Sequence, residues 1–390
     1  MKKLVQFVLK ILLLSVILIS CKNSNPKVEN PLLTFDLKKL PEKTTLKLSD
    51  LGAIDIQYIP LETKEQSVIP RIQKIIRSKN YFLTQSFTNI NMFRNDGSYV
   101  TKIGIVGRGP NEFIVVHDLD INSKDETIYL TDGWQQKFLV YSKSGEFIRT
   151  FKSPLRAAVN IRLTEDGILC YNFNSMGDME NSFNLIDTTG KIIESFSNKY
   201  SWTRKRPGWA FQGENIFYRY NNKLIKKEIY CDTLFVYNNK DFEPYSIIDV
   251  GSLRITPEAR TESLTQNIIN PINLFEFGDY IYYEFIVPYN GKPEGLSFIG
   301  SKDGNCRILF DPEKDLINDI DGGPCFWPKG TWDDKTIISW IDPITLKTLV
   351  SSETFKNYNP KYPKMKKELE GLVESLKETD NPVLILVKLK

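Results

Sequence analysis

Residues 118–151 read DLDINSKDETIYLTDGWQQKFLVYSKSGEFIRTF. Short runs rich in Ile, Leu, Val, Tyr and Phe alternate with Asn, Asp, Ser, Lys and Gly, the pattern of β-strands separated by tight turns. The second half has an apolar strand, three polar residues, Gly145, one further residue and another strand. Glycine supplies the positive φ that such a hairpin needs. The same form returns in NMFRNDGSYVTKIG around Gly97 and in FNLIDTTGKIIESF around Gly190, 48 and 45 residues from Gly145. LSFIGSKDGNCRILF repeats it around Gly304, and LFVYNNKDFEPYSI is a copy without the glycine. A period of about 40–50 residues, with about four strands per unit, is the arithmetic of propeller blades, small sheets that bury their faces only against neighbours. Residues 326–348 make a sixth, irregular unit, and the longer gap before Gly304 predicts an insertion around residues 251–272. The expected fold is all-β: a six-bladed β-propeller forming a single domain over residues 31–390.

The flanks of the repeat bear on how such a ring would close. IDIQYIPL, residues 54–61, precedes the first full repeat, and VLILVKL, residues 383–389, nearly ends the chain. Strands from both termini in one sheet would remove free sheet edges, so residues 54–59 are expected in the blade that contains the C-terminal strand. Residues 363–379, PKMKKELEGLVESLKET, place Met365, Leu369, Leu372 and Leu376 on one helical face. This predicts one C-terminal amphipathic helix lying against the ring. Its polar face mixes Glu with Lys, unlike the basic face of a membrane-surface helix.

The N-terminus carries an address. Lys2 and Lys3 precede an apolar run that is densest in ILLLSVILI, residues 11–19, and Leu18-Ile19-Ser20-Cys21 follows. A charged start, a short apolar core and small residues before a cut mark a secretory signal. The terminal Cys makes it similar to a bacterial lipoprotein signal, which implies cleavage before Cys21 and lipidation of that residue. Residues 1–21 are thus read as signal, and residues 22–30, KNSNPKVEN, as a flexible polar tether. The expected place is the cell envelope, as an outer-membrane lipoprotein facing the periplasm or the surface, held to the membrane through the lipid on Cys21. Cys170, Cys231, Cys306 and Cys325 are expected as buried free thiols, since a core this large needs no staples, and Cys306–Cys325 is the one pair to test for a disulfide in such a compartment.

GRGPNEF, residues 107–113, runs directly towards the stretch quoted first. The succession resembles an NHL-type propeller repeat, in which a Gly-rich inter-blade loop ending in Phe precedes two strands, an Asp and the Gly hairpin. The Asp of that repeat falls on Asp132. Its following Asn and Arg fall on Gln135 and Lys137, both departures. The order of lipobox, IPLET (59–63), GRGPNEF, DTLFVY (232–237) and NPVLILVKLK (381–390) resembles the bacterial six-bladed β-propeller lipoproteins. That resemblance implies fold and location and supplies no catalytic residues.

Composition narrows the chemistry. His117 is the only histidine, which excludes multi-His metal sites and proton relays. Lys+Arg total 51 against 48 Asp+Glu, a net charge of +3, which is too balanced for a nucleic-acid binder. Three loop segments combine charge with aromatics. Arg108 and Glu112 flank the Gly-rich loop, where they would either bond across a blade junction or face a ligand. Asp132 and Trp134 follow a strand; the carboxylate would serve as a turn former or as a ligand group, and the indole as a stacking platform. SWTRKRPGWAF, residues 201–211, sets Trp202 and Trp209 beside Arg204 and Arg206, either a basic-aromatic loop suited to an anionic or glycan partner or a solvated inter-blade loop with its Trp folded onto the rim. The expectation is a monomeric, non-catalytic binding or scaffold protein that takes a glycan or peptide at one channel mouth, with no cofactor or resident metal. The alternative is a calcium-dependent, lactonase-like or other hydrolase, which would need channel carboxylates gathered around a cation.

Overall fold

The computed structural model describes residues 31–156, 158–203, 213–261 and 268–390. Cys21, the tether, Arg204, Arg206 and Trp209 lie outside the described residues. Within the rest, the alternating runs form antiparallel four-stranded meanders. Sheet I holds Lys74–Arg77, Tyr81–Gln85, Ile90–Arg94 and Tyr99–Lys102. Sheet II holds Asp118–Ile121, Ile128–Asp132, Lys137–Tyr141 and Phe147–Lys152. Sheet III holds Ala158–Leu163, Ile168–Asn172, Asn181–Ile186 and Ile192–Ser197. Sheet IV holds Asn215–Tyr220, Lys223–Glu228, Thr233–Asn238 and Asp241–Asp249, with Leu33–Asp36 added at its edge. Sheet V holds Asn270–Phe277, Tyr280–Tyr289, Lys292–Ser301 and Arg307–Phe310.

Sheet VI is assembled from both ends of the chain. Its order is Gly330–Asp333, Thr336–Ile341, Val383–Leu389 and then Ala53–Pro60. Pro60 pairs with Val383, Tyr58 with Ile385 and Ile56 with Val387. Residues 54–59 thus share a sheet with the C-terminal strand as expected, and they pair with it directly as the fourth strand of sheet VI.

The recurring glycines occupy one structural place. Gly97, Gly145, Gly190 and Gly304 each turn the third strand of a sheet into its fourth, with φ between 78° and 94°. In sheet IV the same turn is made by Asn239 and Lys240, both at positive φ, which explains the copy without glycine.

Neighbouring sheets share buried apolar clusters. Leu83 and Met92 of sheet I meet Leu119 and Leu130 of sheet II. Phe138 of sheet II meets Ile161 of sheet III. Phe183 of sheet III meets Phe217 of sheet IV. Ile225, Tyr283 and Ile337 lie in one cluster that spans sheets IV, V and VI. Phe82 and Phe93 of sheet I pack with Ile338 and Leu384 of sheet VI. The body is mostly β and propeller-like, and residues Thr34–Lys390 form one compact unit.

One expectation changes, that of a single helix. The single C-terminal helix is one of three: α1 is Pro343–Ser351, α2 is Glu353–Asn357 and α3 is Pro363–Ser375. All three lie between the second and third strands of sheet VI. The expected apolar face of α3 is used, with Leu369, Val373 and Leu376 buried beside Leu346, Phe355 and Val383. The helices before it escape a periodicity reading because PITLKTLVS is short and rich in β-branched residues, which favour strands. What starts them is local: Pro343 opens α1, and the Ser352 hydroxyl accepts from Phe355 N at the start of α2. Cys306 and Cys325 are free thiols, as are Cys170 and Cys231. Among the described residues no helix is long and apolar enough to cross a membrane.

Candidate ligand-binding face

An antiparallel meander sends its second-to-third-strand loop and its outgoing connector to the same end. Most of the predicted site residues that the structure describes lie in such segments. The connector between sheets I and II contains Ile105–Val106 paired with Glu112–Phe113 in a short parallel ribbon. It leans on the loop of sheet I through Val116 N, which donates to Phe87 O at 2.8 Å. It is stitched to the Trp134 turn of sheet II as well. Gln135 Nε2 donates to Gly107 O and Glu112 O, each at 3.3 Å, and Lys137 Nζ donates to Gly109 O at 2.7 Å.

Asp132 is the anchor of this arrangement and is fully buried. Its Oδ1 accepts from Trp134 N and Gln135 N at 3.0 and 3.1 Å. Its Oδ2 accepts from Ile114 N at 2.7 Å and from Gln135 Nε2 at 2.9 Å. Burial disfavours the charge, but the hydrogen bonds from Gln135 and the backbone outweigh it and hold the carboxyl below its usual range. Asp132 is therefore a turn former, the structural one of its two expected roles. Glu112 is used similarly: its Oε2 accepts from Gly109 N at 2.8 Å and folds over the Gly-rich loop.

Trp134, raised on this base, is 72% exposed, the most exposed large apolar side chain among the described residues. The His117 ring meets it edge-on at 6.0 Å between centroids. His117 Nδ1 accepts from Gly133 N at 3.0 Å, so its ring proton sits on Nε2. Burial lowers its pKa, which leaves it neutral at pH 7. Exposed Arg108, Phe87, Ile105 and Val106 stand on the segments tied to the same turn.

Trp202 takes the folded-in one of its two expected placements. It is 8% exposed, and the Arg260 guanidinium lies 4.9 Å from its ring centroid. Gly177 also packs closely on Trp202, where a Cβ would come within 2.1 Å of its backbone oxygen. A ring enclosed in this way offers no open platform. The residues around 202 allow either placement, and only the packing of Gly177 and Arg260 buries the indole.

Charged residues that a strand pattern does not single out line the first strands of the sheets. Asp118 in sheet II receives Lys74 of sheet I at 2.6 Å and Arg162 of sheet III at 2.8 Å. Asp120 receives Arg219 of sheet IV at 2.9 Å. These carboxylates are committed to cations, whereas a calcium site needs free oxygens converging on one point. Among the described residues no group of three or more His, Cys, Asp or Glu is placed to hold a metal. The sequence signal for this ladder was the DLDI strand itself, which puts two acids on one face of an otherwise apolar run.

A cleft of about 470 Å³ opens beside the Trp134 turn, lined by Gln136, Lys152, Ser153, Pro154, Leu155 and Arg156. Its residues escaped the sequence reading because FKSPLR resembles an ordinary connector.

A family model described as "Domain of unknown function (DUF4934)" matches residues 32–388. No curated protein matches the chain. Among solved structures, a Bacteroides fragilis NCTC 9343 protein whose given name presumes export superposes with a TM-score of 0.70 at 16% identity, over 92% of this chain and 100% of that one. A member of the DUF4221 family from Bacteroides vulgatus ATCC 8482 has a TM-score of 0.50 at 13% identity, over 87% of this chain and 97% of that one. At these identities the likeness concerns the fold alone.

Proposed function

This chain belongs to the DUF4934 family, and on that premise we propose that it is a lipid-anchored, extracytoplasmic binding protein that recognises a glycan or peptide on its connector face and performs no chemistry on it. The observation that carries this reading is Trp134, an indole left 72% exposed on a base held rigid by the buried Asp132. Function commonly sits on loops over a rigid scaffold, and an exposed aromatic face is a ready contact for sugar rings and peptide side chains. The commitment of Asp118 and Asp120 to Lys74, Arg162 and Arg219 supports binding over a calcium-dependent hydrolase.

The architecture behind the reading is a closed six-bladed propeller. It is supported by the succession of sheets I to VI, by the shared cluster of sheets I and VI, and by the two-ended sheet VI. The NHL-type reading of residues 107–151 is supported by the place of Asp132 at the end of a second strand. Anchoring rests on the lipobox ending at Cys21. Replacing Cys21 with Ser should release the protein from the membrane fraction, and unchanged retention in high salt would count against the anchor. Binding is tested by probing glycan and peptide arrays with the full chain in detergent. Trp134→Ala should abolish the signal; equal binding by both proteins would move the site elsewhere.

A further inference from the structure

Resting on the reading of Trp134 as a ligand platform, we infer that the ligand is an acidic glycan, whose carboxylate or sulfate is held by Arg156 and Lys152 in the cleft next to the turn that carries that indole. The cleft and the turn that carries the platform are joined through the backbone. Ser153 N donates to Gln136 O at 2.7 Å, which fastens the connector that forms one wall to the turn that carries Trp134. Gln136 itself stands at a φ of 51°, a left-handed turn that brings the chain back towards the connector. The lining contributes two cations, Lys152 and Arg156, and no carboxylate. A cleft of about 470 Å³ lies within the usual range of small-ligand sites.

Arg156 currently shares a bidentate contact with Asp178, at 2.6 and 3.2 Å. Both partners are more than half exposed, at 54% and 57%, and an exposed pair of this kind is held weakly. The planar guanidinium fork fits a carboxylate or sulfate as well as it fits Asp178, so a ligand anion can take over the same two hydrogen bonds. Lys152 adds a second, exposed positive charge from the end of its strand in sheet II. An adjoining hollow of about 200 Å³ shares Pro154, Leu155 and Arg156 but adds Glu180, so an anion is favoured on the Lys152 side. A sugar is favoured over an acidic peptide because a pyranose ring presents a flat C–H face to an indole.

The test is calorimetric titration of the full chain in detergent with four probes: tetragalacturonate, a sulfated chondroitin tetrasaccharide, cellotetraose and tetraglutamate. At least one acidic saccharide should bind roughly tenfold more tightly than cellotetraose, and the two acidic arms separate carboxylate from sulfate. Arg156→Ala should remove that preference, and Asp178→Asn, which frees Arg156, should strengthen acidic binding about threefold. If tetraglutamate binds as tightly as the acidic sugars, or if Arg156→Ala changes nothing, the acidic-glycan inference is overturned while Trp134 keeps its role. If Trp134→Ala leaves saccharide binding intact, or if no saccharide binds the wild type, the platform reading fails and this inference falls with it.

Discussion

Asp118 and Arg162 meet at 2.8 Å across the junction of sheets II and III, on strands that a linear reading would keep apart. Burial alone would raise the Asp118 carboxyl, but Lys74 and Arg162 outweigh it and hold it at about 2. A carboxylate depressed in this way stabilises the fold above its unfolded value near 4, and that contribution is lost as pH falls through about 2. It amounts to about 2 kcal/mol. Asp118→Asn should lower stability near neutral pH by about 3 kcal/mol, because two cations lose their partner in a buried place. Thermal melts between pH 5 and pH 2 should fall less steeply for the variant than for the wild type; parallel curves would remove Asp118 from the acid response.

The two-ended sheet makes a second prediction. Val383–Leu389 lies between Thr336–Ile341 and Ala53–Pro60, so its loss leaves Ala53–Pro60 without a partner and exposes one edge of Thr336–Ile341. Truncation after Asp380 should lower the melting temperature by more than ~10 °C. Circular dichroism checks it, and an unmoved midpoint would mean that sheet VI contributes little to the whole.

A buried pair in sheet IV tests the balance between charge and packing. Lys226 is bonded to Glu228, and its ammonium lies 4.3 Å from the Phe183 centroid and 4.4 Å from that of Phe242. Lys226→Met should cost about 3 kcal/mol because Glu228 stays buried without its cation. Adding Glu228→Gln should recover most of that loss in a denaturant titration. A double variant as unstable as the single one would show that the aromatic contacts matter more than the ion pair.

Two hairpin glycines should respond differently to a methyl group. A Cβ at Gly97 would come within 2.2 Å of Pro60 O, whereas at Gly304 it meets nothing within 4 Å. Both stand at positive φ, at 87° and 78°. Gly304→Ala should therefore cost about 1 kcal/mol, the penalty of the left-handed backbone. Gly97→Ala should cost several times more, since the strand Ala53–Pro60 must also move. Equal midpoints in urea would show that the Gly97 turn yields freely.

The last contrast separates scaffold from ligand face. Trp134→Ala should leave the melting temperature unchanged, since the indole is 72% exposed. Asp132→Ala should lower stability by about 3 kcal/mol, because it orphans the amides of Ile114, Trp134 and Gln135. A stable Asp132→Ala protein would mean that the turn is held by other contacts.

What the sequence determined by itself was whatever rests on local chemistry. Glycines at hairpin spacing, alternating apolar runs and the amphipathic 363–379 segment act within a few residues of themselves, so their outcome is legible in one dimension. The pairing of Ile56 with Val387 was legible too, because an apolar strand at each end of a repeat has one natural partner. Tertiary structure alone decided the fate of charged and aromatic side chains. Trp134 and Trp202 both follow strands in polar loops, yet one is open and the other is closed under Arg260. Lys226 and Lys227 sit on a strand that reads as solvent-facing, yet both are buried between sheets. Burial depends on which neighbouring sheet covers a residue, and that neighbour comes from a different repeat. The cleft at Arg156 exists for the same reason: the walls are ordinary turns, and the space between them belongs to neither.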